Sequence, residues 1–112
     1  MSVKVVHVRR SRFLHYIGRA CAEFPKSRFY NPFHIGKDGT REEVLVKFIE
    51  YWYAPEQLYL RHEADMLIGD DHVLGCWCKP LDCHGDIIAG YLNWKRQEAT
   101  LWEPPKRHSI LR

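Results

Sequence analysis

No stretch of this chain approaches the ~18 consecutive apolar residues needed to cross a bilayer; its uncharged apolar runs are only a few residues long. A membrane partner is therefore not expected. Met1–Arg10 contains no charged-then-apolar leader, so export is not signalled, and the four cysteines are expected as reduced thiols of a cytoplasmic protein rather than as two disulfides. A large excess of one charge is also missing. With 17 Lys and Arg against 14 Asp and Glu, the net charge is +3, too mild to be a nucleic-acid signature by itself. There are no internal repeats and no low-complexity tract. At 112 residues the chain suits one domain and leaves little room for a second.

What is present is material for a core. Apolar residues make up 46% of the chain and aromatics 13%, which argues against disorder. Val3-Lys4-Val5-Val6-His7-Val8 is β-branched and reads as a strand, and Phe13–Ile17 reads as a second strand or a continuation of the first. From Gly18 to Gly39 no period is sustained, yet Phe24, Phe29, Tyr30, Phe33 and Ile35 are too many apolar groups for a free linker, so this long loop is expected to fold down as a wall or lid. Thr40-Arg41-Glu42-Glu43 is a capping box that starts a helix. Val44, Leu45, Phe48, Ile49, Tyr51 and Trp52 follow at helical spacing until Pro55. Pro55 suits the first turn of a second helix to about Leu67, with Leu58, Tyr59, His62, Met66 and Leu67 as its expected inner stripe.

After an Asp70-Asp71 turn, His72–Cys78 reads as a buried strand, with Leu74, Cys76 and Cys78 on one face and Val73, Gly75 and Trp77 on the other. Asp82 is then a plausible cap for a helix through Ile87, Ile88, Tyr91 and Leu92, and beyond Trp94 the pattern decays into an expected extended tail. Interleaved strands and helices predict a small single α/β domain with a short mixed or parallel sheet flanked by helices. The expected boundaries are 1–93 for the domain and 94–112 for an extended basic tail.

Three of the cysteines and a histidine fall in Gly75-Cys76-Trp77-Cys78-Lys79-Pro80-Leu81-Asp82-Cys83-His84-Gly85-Asp86. The topology puts this strand-to-helix turn at the carboxyl edge of the sheet, where open α/β folds bind ligands, and a helix start offers unpaired amides and a positive dipole end. Cys83 in the first helical turn could be a reactive thiol, since such sites lower a cysteine pKa from about 8.5 to as low as ~3.5–7.5. His84 and Asp86 would add a base and a carboxylate, although neighbours on a helix point about 100° apart. Cys76, Cys78, Cys83 and His84 also offer three sulfurs and a nitrogen to zinc, at a spacing unlike the usual separated ligand pairs. A Cys76–Cys78 bridge is disfavoured by a separation of roughly 6.5–7 Å, and the cysteines could simply be small buried hydrophobes.

Tyr16-Ile17-Gly18-Arg19, Asn31-Pro32-Phe33, Gly36–Val44 and Leu74–Asp86, in that order, make the chain resemble the domain of unknown function DUF4326 from about Val5 to Leu92. The cysteine-histidine turn also looks like that of a second uncharacterised α/β family, DUF488. The resemblance implies a compact α/β domain of bacteria and phages without an assigned role. Between Arg19 and Asn31 the chain departs from the family, so a wall built from Ala20–Tyr30 would be its own. Carried over by position, Gly18 and Arg19 end the early strand, Arg19 could present a bidentate guanidinium to phosphate or carboxylate, and Asn31 before Pro32 could hydrogen-bond a ligand. Arg41 has the wrong sign for a helix start, which hints at an anionic partner.

The combined expectation is a domain that binds a nucleotide or another phosphate-bearing ligand through Gly18, Arg19, Asn31, Arg41, Cys76 and Cys78, and that hydrolyses or transfers a group through Cys83, His84 and Asp86, with no cofactor. The alternative is a non-catalytic nucleic-acid-binding module, using the basic residues at both ends with Tyr30 and Trp102, whose cysteines are structural or bind zinc. The sequence sets no oligomeric state.

Overall fold

The computed structural model describes residues 2–68 and 72–101 and, in the last helix, side chains as far as residue 97. Strands β1 (Lys4–His7), β2 (His15–Tyr16) and β3 (Val73–Cys76) form one sheet in the order β1-β3-β2, and both pairings are parallel. The expected strand at Phe13–Ile17 is real but shortened to two residues, because only Leu14 to Ile17 meet β3 through backbone hydrogen bonds. The helices are α1 (Arg41–Tyr53), α2 (Leu58–Leu67, led in by a 3-10 turn at Pro55–Gln57) and α3 (His84–Leu101). The Asp70-Asp71 turn lies outside the described residues.

Two parallel strands flanking a third require the chain to cross over it. The segment from Val8 to Leu14 does this, and Gly75 makes room: a Cβ there would lie 2.6 Å from the Phe13 ring. Phe13 in turn meets Phe24, which stacks on Tyr16 at 4.5 Å between ring centroids and lies 6.4 Å from Trp77. That aromatic layer covers one face of the sheet. On the other face Leu74 and Cys76 point into the core with Val3 and Val5 beside them, as the period-two reading required. There α3 lies against β1 and β3, and α1 and α2 both pack against α3. Asn93 ties the start of the chain to α3, accepting from the Val3 amide at 2.8 Å and donating to its carbonyl at 3.0 Å.

Thr40 and Glu43 form the expected capping box at the start of α1. Val44, Phe48 and Trp52 are its buried line; Ile49 is exposed. The stripe expected on α2 is corrected. Leu58, Tyr59, Met66 and Leu67 are exposed, and the buried line is Leu60, Ala64 and Ile68. Small Ala64 permits close approach, and Tyr91 of α3 donates to Asp65 at 3.0 Å, which fixes the turn of α2 that faces inward. A second correction concerns the tail. Residues 94–101 are helical, since Lys, Arg, Gln, Glu and Ala favour helix without apolar periodicity; the rest of the tail, with Trp102, lies outside the described residues. The long loop does fold down: Phe29 is buried and packs edge-on to Trp52. Among the described residues no helix is long and apolar enough to cross a membrane.

Candidate functional site

All three strands end at the same edge, and there a cavity of about 320 Å³ opens. Each candidate from the sequence except Asp86 lines it: Gly18, Arg19, Asn31, Arg41, Cys76, Cys78, Cys83 and His84. Cys76 ends β3, and Cys78 follows in a turn closed by the Leu81 amide on the Cys78 carbonyl at 2.9 Å. Cys83 immediately precedes α3 and His84 is its first residue. Gly85 lets this helix start sit on the sheet, since a Cβ there would lie 2.5 Å from Ile17 and 3.0 Å from Val5.

Asp82 does not cap α3. The cap is formed at Cys83, whose amide donates to the Asp86 carboxylate at 3.0 Å, while Lys79 pairs with the same carboxylate at 2.5 Å. The reason is register: with His84 as the first helical residue, Asp86 is the third, the position from which a carboxylate reaches back. Asp86 is thereby placed outside the cavity, and Asp82 lines it instead.

The rim is fastened by its own polar groups. Tyr16 Oη donates to the Arg19 carbonyl at 2.6 Å and accepts from Trp77 Nε1 at 3.0 Å. Arg19 donates to the Phe33 carbonyl at 2.6 Å, and Asn31 Oδ1 accepts from the Phe33 amide at 2.9 Å. Arg41 donates to the Asp82 carbonyl at 2.8 Å and also meets the Cys78 sulfur. Those contacts hold the guanidinium at the cavity rim, against the turn that carries Cys78 and Asp82.

The floor is sulfur and imidazole. The ligand atoms of Cys76, Cys83 and His84 lie within 4.8 Å of one another, and all three residues are buried. Cys78 is half-buried. Hydrogen bonds from Cys76 and Cys83, together with the Arg41 guanidinium, hold its thiol well below the ordinary range. The Cys83 thiol is pushed up by its contacts with Cys76 and Cys78 and then by burial, and the Cys76 thiol is pushed up by its contact with Cys78. Of the three sulfurs, Cys78 is the one on which negative charge is favoured, by hydrogen bonds from Cys76 and Cys83 and by the Arg41 guanidinium beside it. His84 Nε2 lies 2.7 Å from the Ile17 carbonyl. A carbonyl only accepts, so Nε2 carries the proton and Nδ1 the lone pair. Burial lowers the His84 pKa, against the opposing pull of the Ile17 carbonyl.

The helix-start pattern points to Cys83 as the reactive thiol; the geometry brings Cys83 into the cluster but buries it, and leaves Cys78 the less buried of the three sulfurs. Sequence reasoning also missed Tyr16, Trp77 and Asp82 in the wall. No local signal marks them, because each reaches the cavity through a partner distant in the chain or through the register of α3.

Residues 3–94 match the family model described as a domain of unknown function, DUF4326, and the chain belongs to that family. It is also similar to a protein of Acanthamoeba polyphaga mimivirus named as uncharacterized protein R718, with 32% identity over 85 residues, 65% of this chain and 62% of that protein. The chain therefore spans less than two thirds of that relative's length. No solved structure matches.

Proposed function

We propose that this domain binds a phosphate-bearing ligand of the nucleotide class in the cavity and hydrolyses or transfers a group from it, with Cys78 as the attacking sulfur. The observation that carries this reading is that Arg19 and Arg41, from separate segments, line the same cavity as the half-buried Cys78, with Arg41 in contact with its sulfur. Guanidinium groups suit phosphate oxygens, and a thiolate kept available beside them is the activated form of a nucleophile. In the reaction the sulfur bonds to the electrophilic atom of the ligand, the leaving oxygen departs with its electron pair and takes a proton from solvent, and water then releases the group. Cys76 and Cys83 act as hydrogen-bond donors to that sulfur. His84 orients the floor, and Asp86 holds the helix start that carries Cys83.

The test is alkylation of metal-free protein by iodoacetamide near pH 6, mapped by mass spectrometry. Cys78 is expected to react ahead of Cys76, Cys83 and the exposed Cys21, and inorganic phosphate or a nucleoside phosphate is expected to slow it, with protection lost in Arg41→Gln. Preferential labelling of Cys21, or no protection by any phosphate, would sink the reading. A short single-stranded oligonucleotide that binds with steep salt dependence, while mononucleotides do not, would favour the nucleic-acid module instead.

A further inference from the structure

We infer that the sulfur floor is also a metal site. Cys76, Cys83 and His84 hold a zinc-type divalent ion, and Cys78 closes the fourth position from the cavity side. The site stands on geometry. Three ligand atoms lie within 4.8 Å of one another and belong to residues that are all buried, and a fourth ligand, the Cys78 sulfur, contacts both other sulfurs. A tetrahedral zinc with bonds of about 2.3 Å to sulfur and about 2.0–2.1 Å to nitrogen needs ligand atoms roughly 3.5–3.8 Å apart, so the three buried ligand atoms need to contract by only about 1 Å, while Cys78, outside that set, turns in from the cavity side to complete it.

Two further features point to an ion. Buried thiols and imidazole are the donors that borderline-soft divalent ions select over oxygen-loving magnesium or calcium. His84 also has the outer contact that metal-bound imidazoles have: Nε2 donates to the Ile17 carbonyl at 2.7 Å, which fixes the ring and leaves the Nδ1 lone pair for the ion. Compression of Cys76, Cys78, Cys83 and His84 into nine residues made the spacing look wrong for zinc. The fold resolves this, because a strand end, a turn and a helix start deliver the four groups from different directions.

The consequence deepens the proposed function and rests on it: each ligating thiol gives up its proton to solvent, and coordination takes up the lone pair with which Cys78 would attack. The metal-loaded domain is the closed state of the site, and the metal-free domain is the reactive one.

The experiment uses the whole chain, stripped with chelator under reducing conditions and titrated with cobalt(II). The expected result is saturation at one equivalent, with the visible bands of tetrahedral cobalt and a thiolate charge-transfer band, both erased by zinc. Zinc should slow Cys78 alkylation roughly tenfold or more, as expected when a thiolate is the metal ligand. Cys83→Ser should abolish the bands. Because Cys83 is a core residue, Cys78→Ser at the cavity wall serves if that variant fails to fold: it should keep the tetrahedral bands but lose part of the charge-transfer intensity. Absence of stoichiometric cobalt binding by wild type, or bands unchanged in Cys78→Ser, overturns the metal site. Cobalt binding without phosphate protection of metal-free Cys78 leaves the metal site standing and removes the ligand reading; protection without cobalt binding does the reverse.

Discussion

At the scale of single residues, the small side chains decide the most. Gly75 is where the sheet admits its crossover: the Phe13 ring occupies the space a side chain would take. Gly75→Ala is expected to cost about 1–3 kcal/mol through overpacking, measured as a drop in the denaturation midpoint at unchanged slope. A stability equal to wild type would mean that the crossover lies elsewhere. The capping box at Thr40 and Glu43 and the outward face of Trp77 were readable from local pattern, because an N-cap acts over three residues and a strand alternates over two. The role of Asp86 was not. A carboxylate after a Cys-His pair looks like a proton carrier, and only the start of α3 at His84 makes it a cap.

At the scale of elements, α2 shows where hydrophobicity misleads. Leu58, Tyr59, Met66 and Leu67 form the more apolar stripe, yet Leu60, Ala64 and Ile68 are the ones buried. Burial depends on how closely an element can approach its neighbour, and Ala64 brings α2 against the rest of the core as larger residues would not. Two leucines on one helix give a direct comparison. Leu60→Ala is expected to destabilise by about 2–5 kcal/mol and Leu58→Ala by about 0.5 kcal/mol or less, read from chemical denaturation of each variant. Similar losses for the two would contradict the assigned face. The end of α1 depends on α2 as well: Arg61 donates to the Trp52 and Ala54 carbonyls at 2.5 and 3.0 Å, so a helix without basic residues in its own last turn takes its cation from the next.

At the scale of the whole molecule, β2 and the approach to β3 are joined by stacked rings, His15 and His72, with centroids 4.7 Å apart and Nε2 of one 2.6 Å from Nδ1 of the other. Burial and then the neighbouring His72 lower the His15 pKa below its ordinary 6.5. A histidine whose folded pKa is depressed binds protons more readily when unfolded, so its contribution is complete above about pH 6.5 and is lost as pH falls through the folded value. Stability is expected to decline from pH 7 towards pH 5, and His72→Gln should flatten that decline by removing the like-charged neighbour. Buried His84 pushes in the same direction in both proteins, so the difference in slope isolates the pair. Equal slopes would show that the ring pair does not govern the acid response.

The sequence by itself determined the α/β class, the capped start of α1, the inward face of β3 and the cysteine-histidine composition of the candidate site, because each rests on interactions between residues a few positions apart or on side-chain type alone. Only the tertiary structure decided which sulfur is accessible, that Arg41 reaches the turn carrying Cys78 and Asp82, and which face of α2 is buried. Those outcomes depend on the close approach of segments tens of residues apart, and close approach is set by the volume and polar partners of every group between them, which no local period encodes.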